Sequence, residues 1–360
     1  MNGQIELYRD HFSRDTRTVV TLGALSAETF LYSTGVEAVR IQNGAGYAVI
    51  LPYMGQMVWD MEFYGHRGTM RSIYSEPMPC KQTYGESYGC FLMHCGLSAI
   101  GNPTAEDDHL PHGELPIAAY QKAYILFGED ERGRYIAVSG DYEHKRCYEY
   151  NYLFRPECRL YENEGVMEIT AHFENRKDLP LEYFYLCHIN YRPQDGARLF
   201  YTARHSDIKA HHEVPAGYPA EAATNAYLDR LDKDPSVMDL IDKSTQSYAP
   251  EIVFTCKYFA DEKGDAHTMQ LLPDGYACYV RHRPGELPLG IRWISRTEDE
   301  DALGMVLPAT AEHLGYKYCK RMGYERYLKK GESITYRMTT GILDPDAAAA
   351  MKKRIDDLNK

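Results

Sequence analysis

A chain of 360 residues with 44% hydrophobic residues is long enough to bury a large core, and all-β architectures reach this size as one domain. The formal net charge of −12 argues against nonspecific binding to nucleic acid or to an anionic membrane surface, since both need positive charge. No leader-like or membrane-spanning apolar run is seen, and nine cysteines are scattered without CxxC spacing, so a reducing cytoplasm with free thiols is expected.

In chain order, AVRIQNG (38–44), YAVILPYMG (47–55) and YIAVSGDYEH (135–144) are short apolar or alternating runs bounded by Gly, Asn, Pro and Asp. Their length and β-branched or aromatic content predict strands. YNYLFRPECRLYENEG followed by MEITAHFENR predicts a hairpin turning at 163–165. LEYFYLCHINY (181–191), EIVFTCKYF (251–259), YACYVRHRP (276–284) and SITYRMTTGIL (333–343) continue the pattern. Helix signals are sparse: short helices near 217–245, and a C-terminal helix from Pro345 with Asp344 as N-cap. The 31 tyrosines suit strands and half-polar pockets. No GxGxxG or P-loop opens a helix, so a nucleotide fold has no support. Strand texture over 36–343 without linker composition predicts one antiparallel β domain spanning 1–360, with the helix packed outside it.

Between the strands, DHLPHGELP (108–116) stands out. Pro111 blocks helix and holds Leu110 extended, while Gly113 permits a tight path, so His112 is expected to be presented from a stiff loop. If that loop is extended, His112 and Glu114 share a face. His205, His211 and His212 have no metal spacing and are expected on a solvated loop.

Several stretches together resemble the aldose 1-epimerase (galactose mutarotase-like) superfamily, above all its bacterial branch of poorly characterised epimerase-related proteins. They are PYMGQMVWDMEFYG (52–65), CGLSAIGNP (95–103) with LPHGELP (110–116), the segment 173–199 containing CHINY, and 289–344 from LGIRWIS to GILD. They occur in the right order over most of the chain. The resemblance implies a large β-supersandwich with an open sugar cleft, and anomer conversion of a free sugar with no metal or organic cofactor.

Mutarotation opens a cyclic hemiacetal and recloses it on the other face, so one group must take the anomeric hydroxyl proton while another protonates the ring oxygen. A histidine and a carboxylate suit the two tasks. By the resemblance, His188 matches the acid and His112 the histidine on the ring-oxygen side. The family's glutamate, placed before a proline near the C-terminus, is matched by Leu307, which cannot accept a proton. Glu114 and Glu312 are the replacement bases the sequence suggests, with Glu114 ranked first. His94, Asn102, Arg292 and Trp293 are candidate sugar contacts, Trp293 as a platform for the apolar face of a pyranose. Two other readings stay open: a noncatalytic carbohydrate-binding protein, favoured by Leu307, and a metal-dependent sugar isomerase using His94, His112, Glu114 and His188. In all of them the partner is a small carbohydrate; the sequence does not fix the oligomeric state.

Overall fold

The computed structural model describes residues 2–360 and consists of two large antiparallel sheets packed face to face. One sheet has nine strands in the order Gly3–Leu7, Lys122–Asp130, Gly133–Arg146, Tyr150–Tyr161, Val166–Asn175, Ser333–Leu343, Ala277–His282, Ala266–Leu271 and Arg198–Tyr201. The other, of thirteen strands, is centred on Leu289–Arg296, Asp301–Ala309, Leu181–Ile189, Leu92–Leu97 and Val58–Phe63. This is the galactose mutarotase-like β-sandwich that the resemblance implied.

Alternation along the strands fills the space between the sheets with aromatic rings. Tyr185 stacks on Tyr336 with centroids 5.5 Å apart, and Phe173 meets both Tyr336 and Tyr183 edge-on. Burying a tyrosine requires a partner for its hydroxyl. Tyr183 and Tyr336 satisfy each other at 3.0 Å. The Tyr191 hydroxyl lies 2.7 Å from Thr340 Oγ1 and accepts from Gly341 N at 2.9 Å, pinning one sheet to the other. So the tyrosine richness is largely a core property here: paired hydroxyls let amphipathic rings stand where phenylalanine would otherwise be used.

The predicted hairpin forms, with Asn163 in the left-handed region at φ 65. The C-terminal helix runs Pro345–Leu358, capped by Asp344, whose Oδ1 accepts from Ala347 N at 2.9 Å. Ala348 and Ile355 pack it against Met269, Ala277 and Tyr279, on the face of the nine-stranded sheet turned away from the sandwich interior. In the 217–245 region a helix spans Glu221–Lys233 and a 3-10 turn follows at Pro235–Asp239.

Candidate functional site

The two faces of the larger sheet decide which side chains meet. In the pairing of Leu181–Ile189 with Leu92–Leu97, Cys187 stands opposite His94 and His188 opposite Met93. Paired residues share a face, so His94 points with Cys187 into the sandwich, whereas His188 points out of it. There His94 Nδ1 meets the Tyr185 hydroxyl at 2.8 Å, its ring packs on Phe154, and burial lowers its pKa to about 3. The sequence offered His94 as a sugar contact; it is instead a core residue.

His188 opens onto a cavity of about 240 Å³ on the outer face of the sheet. Asn190 Nδ2 donates to Cys90 O at 3.0 Å, so Asn190 Oδ1 is an acceptor, and His188 Nδ1, 2.7 Å away, must carry the proton. The His188 Nε2 therefore faces the cavity as an acceptor. Burial lowers the His188 pKa to about 4, below the neutral range expected for it. His112 lies across from it, with ring centroids 5.3 Å apart and an interplanar angle of 79°. Gly101 N donates to His112 Nδ1 at 3.4 Å, which puts the His112 proton on Nε2. One imidazole thus offers an acceptor and the other a donor.

His112 reaches this position through a curled loop rather than an extended one. Its φ is 59 and that of Gly113 is 74, both left-handed. A Cβ on Gly113 would stand 2.5 Å from Gly96 O and 2.6 Å from Ala99 O, so only glycine fits. The curl removes the shared face expected for His112 and Glu114. The Glu114 carboxylate turns beneath the loop, accepting from Leu97 N at 3.0 Å, from Ser98 N at 3.3 Å, and from the Ser98 and Tyr152 hydroxyls. It fastens the loop to the end of the Leu92–Leu97 strand and does not line the cavity.

Glu312 does not line it either; its carboxylate accepts from the Tyr318 and Tyr324 hydroxyls at 3.1 and 3.0 Å. Leu307 does line it, buried at the position where the resemblance leads one to look for a base. Trp293 and Arg292 separate by alternation, Trp293 to the cavity and Arg292 to the interior. Between Leu289–Arg296 and Asp301–Ala309 the register shifts by one residue, so Met305 and Val306 both stand opposite Arg292. Arg292 Nε donates to Met305 O at 3.1 Å and its guanidinium lies over the Tyr201 ring, which makes it a structural filler of the bulge and not the sugar contact expected of it. Asn102 sits at the rim, between the cavity and a neighbouring compartment of about 450 Å³. His211 is buried beside that compartment, 5.0 Å from the His313 ring, instead of on a solvated loop.

The carboxylates that do face the cavity are Glu251 and Glu300. Trp293 Nε1 donates to Glu251 Oε2 at 2.5 Å, and the Trp293 ring lies 5.5 Å from that of His188. Burial and the nearby Glu251 raise the Glu300 pKa. Tyr84 and Tyr88 close the cavity from a loop, Tyr84 edge-on to His112 at 5.4 Å and Tyr88 edge-on to His188 at 6.1 Å. The four residues put forward as metal ligands do not converge, because His94 and Glu114 lie outside the cavity. Among the described residues no three His, Cys, Asp or Glu side chains are grouped to hold a metal ion.

A family model described as a domain of unknown function (DUF4432) matches residues 33–342. The chain belongs to that family. No curated protein matches the sequence. The DUF4432 chain does share its fold with solved structures. A Klebsiella pneumoniae protein provisionally named an aldose 1-epimerase aligns over 100% of this chain and 92% of its own, at TM-score 0.81 and 17% identity. A galactose mutarotase-like protein from Clostridium acetobutylicum aligns over 90% of this chain and 100% of its own, at TM-score 0.58 and 14% identity. One from Lactobacillus casei aligns over 85% and 100%, at TM-score 0.52 and 11% identity. These likenesses show the fold.

Sequence reasoning missed Glu251, Glu300, Tyr84 and Tyr88. Glu251 had one local signal: it follows Pro250 and opens the run EIVFTCKYF, so it sits where a loop enters a strand. Glu300 lies in the acidic turn TEDED, which reads as a solvated charge run.

Proposed function

We propose that this protein interconverts the anomers of a free sugar by cofactor-free acid–base chemistry, with His188 and Glu251 as the proton-exchanging pair and His112 orienting the ring. The observation that carries this reading is the single cavity shared by the His188 and His112 rings and a Glu251 carboxylate held on Trp293. The working form carries one proton on the pair. Protonated His188 gives it from Nε2 to the ring oxygen as the C1–O5 bond breaks, while the Glu251 carboxylate takes the proton of the anomeric hydroxyl. Rotation about C1–C2 in the open aldehyde and the reverse transfers then yield the other anomer. With the His188 pKa lowered to about 4, the protonated form is the minor one near neutrality: it is a strong acid towards the ring oxygen, and reaching it is part of the barrier. The His112 Nε2–H supplies a donor to the same region. Nine free cysteines fit the reducing cytoplasm we propose as its compartment.

The test is saturation-exchange NMR on a panel of aldoses with the parent protein, His188→Gln and Glu251→Gln. Expected is anomer exchange in the parent, reduced about 10²-fold or more in each variant while sugar still binds. Exchange at parental rates in both variants would remove these roles. Saturable binding with no exchange in the parent would install the second reading, a carbohydrate-binding protein, which the buried Leu307 in the cavity wall favours.

A further inference from the structure

The walls of the cavity carry an unbalanced charge. Glu251 and Glu300 line it together, and a third carboxylate, Glu213, lines the adjoining compartment with Glu251. None of the three makes an ion pair within 4.0 Å with any described residue, and the Glu300 carboxylate accepts no hydrogen bond from one. Lys209 partly offsets Glu213; the other nearby cations are engaged elsewhere. Arg296 points to the other face of its strand and binds Asp195 and Asp301. Arg71 donates to the carbonyls of Glu298 and Thr297, Lys243 to that of Thr297, and Arg321 at the compartment rim pairs with Glu106. Burial lowers the pKa of both His112 and His188, so neither imidazole balances the carboxylates in the resting state.

Part of the remaining wall is aromatic, beside aliphatic Leu186, Val253, Ile291 and Leu307. Tyr84, Tyr88 and Trp293 stand in a row, Tyr84 edge-on to Tyr88 with centroids 5.2 Å apart and Trp293 tilted to Tyr88 with centroids 6.0 Å apart. Carboxylates beside aromatic rings make a preorganised environment for an alkylammonium group, which the ring quadrupoles attract. The two imidazoles, His188 at 5% exposure and His112 at 8%, turn unpartnered Nε2 atoms into the same space, one accepting and one donating, as a polyhydroxylated ligand needs. A sugar acid or phosphate fits poorly, because its charge would stand among carboxylates of the same sign that no ion pair neutralises.

We propose that the ligand of this cavity is an amino sugar, with Glu300 and the Tyr84–Tyr88–Trp293 surface forming the subsite for its protonated amine. The proposal rests on the reading that the cavity takes a sugar. It assigns Glu300 to recognition and leaves proton transfer to His188 and Glu251. A cation there also relieves the repulsion between Glu300 and Glu251.

The experiment is calorimetric titration of the parent protein at about pH 6.5 with D-glucosamine, D-galactosamine and D-mannosamine, the parent hexoses, the N-acetyl derivatives and D-glucuronate. At least one amino sugar is expected to bind tenfold or more tighter than its hexose, with the matching N-acetyl derivative losing that advantage and glucuronate binding weakest. Glu300→Gln is expected to cut the amine-to-hexose affinity ratio at least fivefold, read as a ratio so that a general loss of binding does not count. Hexoses binding as tightly as their amines, or a ratio unchanged in Glu300→Gln, overturns the subsite. Should that variant not fold, the parental panel decides alone. Anomer exchange of neutral aldoses without an amine preference removes the subsite and leaves the epimerase reading standing. Amine-selective binding without exchange does the reverse.

Discussion

Acidification from about pH 7 to about pH 5.5 should cost this protein a large part of its stability, through histidines the fold buries uncharged. Burial lowers His94, His282 and His313 to about 3 and His188 to about 4, from an ordinary 6.5, and lowers His112 in the same direction. The folded state therefore stays unprotonated at these sites across the interval, while the unfolded chain takes up protons as pH falls through 6.5. The unfolded state binds more protons, so stability falls with pH, and the loss does not depend on how far below 5 each folded value lies. Each such histidine contributes about 1.2 kcal/mol over the interval, and the four with values of about 3–4 together about 5 kcal/mol, to which His112 adds. With about 2.1 cal/mol/K of unfolding entropy per residue, that lowers Tm by ~7 °C for a chain of 360 residues. Carboxylates held low by ion pairs, such as Asp261, add a loss of the same sign at more acid pH, while Glu300 and Glu213, whose pKa values are raised, offset part of the histidine loss within the window. The assay is differential scanning calorimetry at both pH values, with urea titrations to confirm an unchanged m-value. His282 separates this account from a general acid effect, because neither of its ring nitrogens has a partner. His282→Leu should match or exceed the parent at neutral pH and shrink the acid loss by about 1.2 kcal/mol. A parental Tm that is flat across the interval, or a leucine variant with the full acid loss, would refute the reasoning.

Two further outcomes follow from the packing. Glu114→Ala removes the acceptor for four donors beneath the His112 loop, with an expected loss of about 3–5 kcal/mol in urea unfolding and a displaced His112 that slows anomer exchange; a change under about 1 kcal/mol would show that the carboxylate is not the clamp. The whole chain is expected to unfold as one cooperative unit, with matching calorimetric and van't Hoff enthalpies, and two resolved transitions would divide it.

Strand composition was readable because apolar alternation is a local property: the Tyr150–Tyr161 and Val166–Asn175 hairpin, its turn and the Asp344 cap stand where their residues indicate. The convergence of His112 and His188, 76 positions apart, was legible only through the resemblance, since no spacing encodes a pairing across a sheet and a loop. Where local rules misled, the cause was one step of geometry. His94 was separated from His188 by pairing register, which a single strand does not display. Glu114 was separated from His112 by two left-handed residues that turned an extended loop into a curl. Arg292 was put forward as a sugar contact beside Trp293, but it alternates to the other face of its strand, where a bulge on the neighbouring strand gives its guanidinium a carbonyl to bind. Glu251 and Glu300 come from segments that meet only in the assembled sheet, so their chemistry was invisible until the strands were placed.

The placing of Ser333–Leu343 in the middle of the nine-stranded sheet, between Val166–Asn175 and Ala277–His282, also sets an order of events during synthesis. The ribosome releases Val166–Asn175 long before its neighbour exists. Some 158 residues separate Asn175 from Ser333, roughly 10–30 s of translation at ~5–20 residues per second. For that time a ten-residue strand with an apolar face has one edge unpaired, a template for any other nascent chain on the same message. Polysomes making this protein would therefore benefit from chaperone cover, and the sandwich closes only when nearly the last strand has left the tunnel.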